Sequence, residues 1–263
     1  MRADAFAGNV VLCALVTPMV VWFVLRRWGR LSALTGGAWL VSYGLSLLVY
    51  VLVLPRKHLE SAIIMRWPKS YWAWTLAQVD NELWEQAAKL AILAITLWVF
   101  GSQVRPLLQE KGAFLALGYW VGLSYGIGEA LILAVLFAKP TWAPLFGLHT
   151  FTPYMIGRGF VYERFRAVHI HAIMGALIGL GLWGLIGLGK QVRLIVFFVL
   201  AMLYHHAVDG TIVTARFVPA LARLLQSAPL LIVPVMLAAG LLVLLLAYRL
   251  AGSAQSSAST SLP

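Results

Sequence analysis

Seven runs of the chain, 9–25, 31–54, 82–101, 113–138, 162–189, 191–213 and 227–250, stay apolar over lengths that only a lipid bilayer explains. A helix that crosses the hydrocarbon core needs roughly 20 apolar residues at about 1.5 Å of rise each. With 62% hydrophobic and 11% charged residues over 263 positions, the chain cannot hide this surface in a soluble core. Soluble domains carry about 45–50% and about 25% respectively. The runs lack the ten-residue alternation of a transmembrane barrel, and no fixed period marks a solenoid. The sequence therefore predicts an all-α, polytopic membrane protein with about seven transmembrane helices in a single bundle over residues 1–251. A Ser- and Ala-rich tail, 252–263, is expected to be disordered. The first run has one Arg before it and no small-residue cleavage pattern after it, so it reads as a retained helix rather than a signal peptide. The expected location is the cell membrane, multi-pass.

The net charge of +11 does not imply a nucleic-acid partner, because no stretch concentrates Lys and Arg into a dense basic run. Most basic residues stand in short links between apolar runs, where phospholipid head groups anchor them. The lipid bilayer is thus the first expected partner. The link from Pro55 to Asn81 mixes Trp67, Tyr71, Trp72 and Trp74 with Lys and Arg, a composition that lies in the interface plane. The link from Lys139 to Gly159 carries three prolines and is expected to be ordered but not helical throughout. The bias of Lys and Arg between alternate links leaves membrane orientation open. Cys13 is the only cysteine, which excludes a disulfide framework and a Cys-rich metal site.

The acids carry the functional information. Of nine, Asp4, Glu60, Asp80 and Glu110 fall in a terminus or links, and Glu82, Glu85, Glu129, Glu163 and Asp209 fall within or at the mouths of apolar runs. An acid at the centre of a transmembrane helix costs on the order of 2.5–3.5 kcal/mol on insertion scales, so it faces a polar interior and serves a purpose. Helical spacing decides which groups can meet. Glu82, Glu85 and Lys89 form one stripe. Glu163, Ala167, His171, Gly175 and Gly179 recur every four residues, and the two glycines let a neighbouring backbone approach that stripe. His205 and Asp209 are one turn apart, and Glu129 follows Gly118, Gly122 and Gly126 on another small-residue face. Glu129 reads either as a structural partner for Lys89 or as a functional acid, and Glu163-Arg164 either as an interfacial salt bridge or as a catalytic pair. His206 and His169 point away from these stripes, and His58 and His149 lie in links. Two imidazoles and two or more carboxylates converging in a bundle core can hold a divalent metal or activate a water. Histidine nitrogen and carboxylate oxygen suit Zn²⁺, with other first-row ions open.

In order along the chain, these residues resemble a family. Glu85-Gln86-Ala87-Ala88-Lys89 is similar to the EExxK element of PrsW-type and YhfC-type membrane proteins, within the CAAX-protease-related superfamily. Gly126-Ile127-Gly128-Glu129 resembles their second motif, a glycine-rich helix with one Glu. Glu163-Arg164-Phe165-Arg166-Ala167-Val168-His169-Ile170-His171 is similar to the ERxxAxxxH element, and His205-His206-Ala207-Val208-Asp209 to the HxxxD element. The resemblance runs from about residue 80 to 212. It implies an intramembrane endopeptidase that cleaves a membrane-embedded or membrane-associated peptide. Glu85 would be its general base, with His171 and His205 as metal ligands or oxyanion partners. Asp209 would orient His205 or complete a metal set with the two His, and Glu129 would be a further polar wall. One departure stands out: the second Glu of the first motif is Gln86 here, and an amide is neither a base nor a strong metal ligand.

Two other readings compete. Gln86, the span count and Gly122-Leu123-Ser124-Tyr125-Gly126 also resemble the scaffold subunit of γ-secretase, which implies a non-catalytic member of a membrane-protein complex. The buried His and acids could instead form a proton or ion pathway, or His171 and His205 the axial ligands of a haem. Transport folds commonly show paired repeats with broken helices, which this sequence lacks.

Overall fold

The computed structural model describes residues 7, 8, 10–27, 36–105, 110–139, 141, 142, 160–227 and 229–256, and among them there is no strand. The first apolar run begins as a π-helical stretch, Val10–Val16, and tightens into α1 (Thr17–Arg26). Pro18 sits in its first turn, where a missing N–H costs nothing. α2 (Gly36–Val53) passes through a 3₁₀ turn, Leu54–Arg56, into α3 (Lys57–Arg66). Ser70 then starts α4 (Tyr71–Val99) as its N-cap, its hydroxyl accepting from Ala73 N at 3.3 Å. A single turn, Gly101–Val104, precedes α5 (Lys111–Ala138), α6 (Phe160–Ile186), α7 (Gln191–Phe217), α8 (Pro219–Ser227) and α9 (Pro229–Ser256).

Five segments are long and apolar enough to cross a membrane: Gly36–Arg66, Lys111–Leu136, Arg164–Ile186, Gln191–Phe217 and Ile232–Ala251. This is a multi-helix membrane protein. Val10–Arg26 is a shorter apolar helix. α4 has the length, 29 residues, but Glu82, Glu85 and Lys89 deny it an equally apolar window. Among the described residues, length and composition thus mark five candidate crossings, which supports the expected polytopic bundle without reaching the expected count of seven. The span expected to start at residue 82 begins eleven residues earlier, at Tyr71, because the Ser70 cap nucleates helix through polar sequence. The segment expected along the interface is accordingly α3 plus the first turns of α4, with Trp67 and Trp72 exposed. α9 runs to Ser256, five residues into the expected tail; residues 257–263, and 140 and 143–159 of the Pro-rich link, lie outside the described residues.

α6 is the axial helix. Its window is 83% buried, against 22% for α7 and 17% for α9, so an apolar sequence that would suit lipid is here surrounded by protein. α5 packs along it so closely that backbone meets backbone. A Cβ at Gly118 would strike the Gly175 carbonyl, and one at Gly122 the His171 carbonyl. Gly179 abuts Phe114 in the same way. The small-residue faces expected on these two runs therefore face each other. α4 and α7 flank α6 on the other side. Their polar ends are tied by Tyr71 Oη to Thr214 Oγ1 at 3.4 Å and by Arg216 stacked over Trp74 at 4.0 Å. α9 docks through Tyr204, whose hydroxyl donates to Met236 O at 3.0 Å beside Gly240.

Candidate functional site

Glu85, on the inward face of α4, is the centre of a buried cluster and is itself 3% exposed. Its Oε1 accepts from Arg56 Nη2 at 3.1 Å, delivered by the 3₁₀ turn after α2. Its Oε2 lies 3.5 Å from Lys89 Nζ, 3.7 Å from His171 Nδ1 and 4.0 Å from His205 Nε2. The two imidazoles stand edge to face with centroids 5.6 Å apart. Three helices thus bring Glu85, His171 and His205 around one point, the convergence expected from the sequence. Lys89 is fully buried and also rests on the Tyr125 ring, 4.4 Å from its centroid.

The hydrogen bonds set the tautomers. His171 Nε2 donates to Glu129 Oε2 at 2.6 Å, which leaves Nδ1 of a neutral ring as an acceptor. That Nδ1 and Glu85 Oε2 are both buried and have no hydrogen-bond partner among the described residues. Two unpartnered acceptors this close match the two O–H donors of one water. His205 is fixed in the same sense. Gln86 Nε2 donates to its Nδ1 at 2.9 Å, and its Nε2 donates to Asp209 Oδ2 at 3.2 Å. Lys89 Nζ donates to Gln86 Oε1 at 3.3 Å, which holds the amide the right way round. The departure at position 86 is thus an integrated part of the cluster. An amide supplies the N–H that a carboxylate lacks.

The remaining candidates resolve into pairs. Glu129 bonds His171 and Arg164 Nη1, the latter at 3.3 Å, so its partner is not Lys89. Arg164 accordingly serves Glu129, and the side chain of Glu163 lies outside the described residues. Asp209 accepts from Gln78 Nε2 at 3.0 Å as well as from His205. His206 pairs with Glu82 at 2.9 Å, and His169 with the Tyr119 hydroxyl at 2.8 Å. Both imidazoles set aside by spacing stay out of the Glu85 cluster. Sequence reasoning missed Arg56 and Gln86. Arg56 stands 29 positions before Glu85 in a segment read as interfacial, and no local pattern signals its arrival. Asn81 accepts from both Arg56 and Lys57 and fastens that turn to α4.

Zn²⁺ needs three donors about 2.0–2.2 Å from one point. Among the described residues no three His, Cys, Asp or Glu side chains are grouped to hold a metal ion. Asp209 engages the same His205 nitrogen that faces Glu85. Lys89 and Arg56 place two positive charges on the Glu85 carboxylate, where a dication would be repelled. The expected set of His171, His205 and Asp209 is thus not brought together as three free donors among the described residues. No family model matches the chain, and comparison with curated proteins and with solved structures likewise returns no match.

Proposed function

We propose that this chain is an intramembrane endopeptidase, seated in the cell membrane with the first apolar helix, Val10–Arg26, and α4 as two further crossings. The observation that carries the reading is the pair of buried acceptors without a hydrogen-bond partner among the described residues, Glu85 Oε2 and His171 Nδ1, 3.7 Å apart beside the Lys89 ammonium. A water held between them is deprotonated by Glu85 while its oxygen adds to the carbonyl carbon of a peptide bond. The carbonyl oxygen becomes anionic and is stabilised by the Lys89 ammonium in a low-dielectric setting. The proton taken by Glu85 then passes to the departing nitrogen as the C–N bond breaks, leaving a carboxylic acid and an amine. Arg56, bound to the other oxygen, keeps Glu85 in place. Glu129 and Asp209 orient the two imidazoles.

The test is cleavage of a transmembrane peptide by the purified chain in liposomes, with Glu85→Gln and His171→Ala beside it. General-base removal costs roughly 10²–10⁴-fold, and cleavage unchanged in both variants refutes the reading. A second reading has its own observation. Two cations on Glu85 describe a structural ion cluster, as a non-catalytic scaffold would keep. A stable membrane-protein complex on co-purification, with no cleavage by the intact chain, is the outcome that favours it.

A further inference from the structure

The ionisable groups of the cluster are not distributed evenly about its centre. Glu85 and His205 stand near the middle of α4 and α7. From there toward the start of α4 and the end of α7, the seam between these helices is polar at successive levels. Gln86 bonds His205, Glu82 bonds His206, and Gln78 bonds Asp209, at 2.9, 2.9 and 3.0 Å. The side chains of His206 and Asp209 keep 34% and 32% exposure, whereas that of Glu85 keeps 5%. Asp209 is eight residues from the end of α7, about 12 Å along the axis.

Past Lys89, in the other direction, the character reverses. Ile92, Leu93, Leu177, Ile178 and Trp183 are buried together. Thr96, the one hydroxyl there on α4, is spent on Ile92 O at 2.8 Å. The opposite seam, α5 against α6, is closed by backbone contact. Hydrogen bonds between side chains exchange for bonds to water or to a peptide amide at little net cost, whereas a close-packed apolar layer offers no such exchange.

We infer that the centre is reached from one membrane face only, along the α4–α7 seam on the side of Lys57 and Lys69. A peptide substrate accordingly presents its scissile bond from that side, in extended form, with its amides replacing the seam contacts. The claim about the substrate rests on the endopeptidase reading; the claim about access does not.

The experiment labels single thiols in sealed vesicles with a membrane-impermeant methanethiosulfonate, in the full chain carrying Cys13→Ser. Lys69→Cys and Lys190→Cys, both exposed, report which face is being labelled. Gln78→Cys and Asp209→Cys are expected to be labelled from the Lys69 side and not from the Lys190 side. Ala94→Cys, on the apolar half of α4, is expected to remain unlabelled from both. Labelling of either seam position from the Lys190 side, labelling of Ala94→Cys, or no labelling of the seam from the Lys69 side overturns the inference. The two seam positions are on different helices, so a folding defect in one, seen as loss of a monodisperse peak in detergent, leaves the other to decide. Labelling requires no cleavage, so an inactive protein with a one-sided mouth is distinguished from an active one open on both faces.

Discussion

Replacing Gly122 by Ala adds one methyl at the tightest point of the bundle. Its Cβ would meet the His171 carbonyl oxygen well inside contact distance, and Ala172 Cα and Gly175 Cα at 3.0 Å. All three atoms are backbone, so no rotamer change relieves the overlap and α5 must move off α6. Carbon atoms rest at about 3.5–4.0 Å, which sets the separation at roughly 0.5–1 Å. Overpacking of this kind costs about 1–3 kcal/mol. At about 2–4 °C per kcal/mol for a chain near this size, the melting temperature falls by roughly 2–12 °C. The same movement carries Glu129 away from His171, whose ring it orients, and a 1 Å misplacement costs roughly 10²-fold in rate. The reference is Gly44→Ala in α2, where nothing lies within 4 Å of the new atom and Ala favours helix by about 1 kcal/mol. Thermal unfolding of both variants and the parent in one detergent reads the difference. Gly122→Ala unfolding at or above the parent temperature would refute the backbone-contact account of how His171 is placed.

Gln86→Glu, which restores the acid of the resembled motif, is expected to lower cleavage rather than raise it. A carboxylate cannot donate to His205 Nδ1, so the ring moves its proton there or becomes cationic, and ¹⁵N chemical shifts of the imidazole read the change. His169→Phe removes only the bond to Tyr119 and is expected to cost about 0.5–1.5 kcal/mol of stability with cleavage intact. Its full loss of cleavage would mean that the spacing argument chose the wrong imidazole. Elemental analysis of purified protein is expected to find zinc far below one per chain and no change in His171→Ala or His205→Ala. One zinc per chain, lost in both variants, would replace the water-activation scheme with a metal one.

What the sequence revealed of this site follows from what helices make periodic. His171, Gly175 and Gly179 share a stripe because they are four apart, and that stripe lies against Gly118 and Gly122. His205 was separable from His206, and His171 from His169, because one or two residues turn a side chain off the shared face. Contacts between remote segments left no such trace. Arg56 reaches Glu85 through a turn whose composition suggests only head-group anchoring, and Gln86 looks like a lost acid until its amide is seen on His205. The start of α4 was misjudged for a related reason. Hydropathy marks where lipid begins, not where helix begins, and the Ser70 cap extends the helix through Gln78 and Asn81.

The Arg56, Glu85 and Lys89 cluster has a consequence for how the chain is made. All three residues precede α6 and α7 in the chain, so they are made before the imidazoles those helices supply. Each alone would oppose partitioning into lipid by on the order of 2.5–3.5 kcal/mol. Together they enter as a hairpin in which Glu85 offsets one of the two positive charges, so the penalty on inserting α4 is smaller than that of three isolated charges. On the proposed reading of α4 as a crossing, a nascent chain released after Val99 is expected to sit across the membrane already.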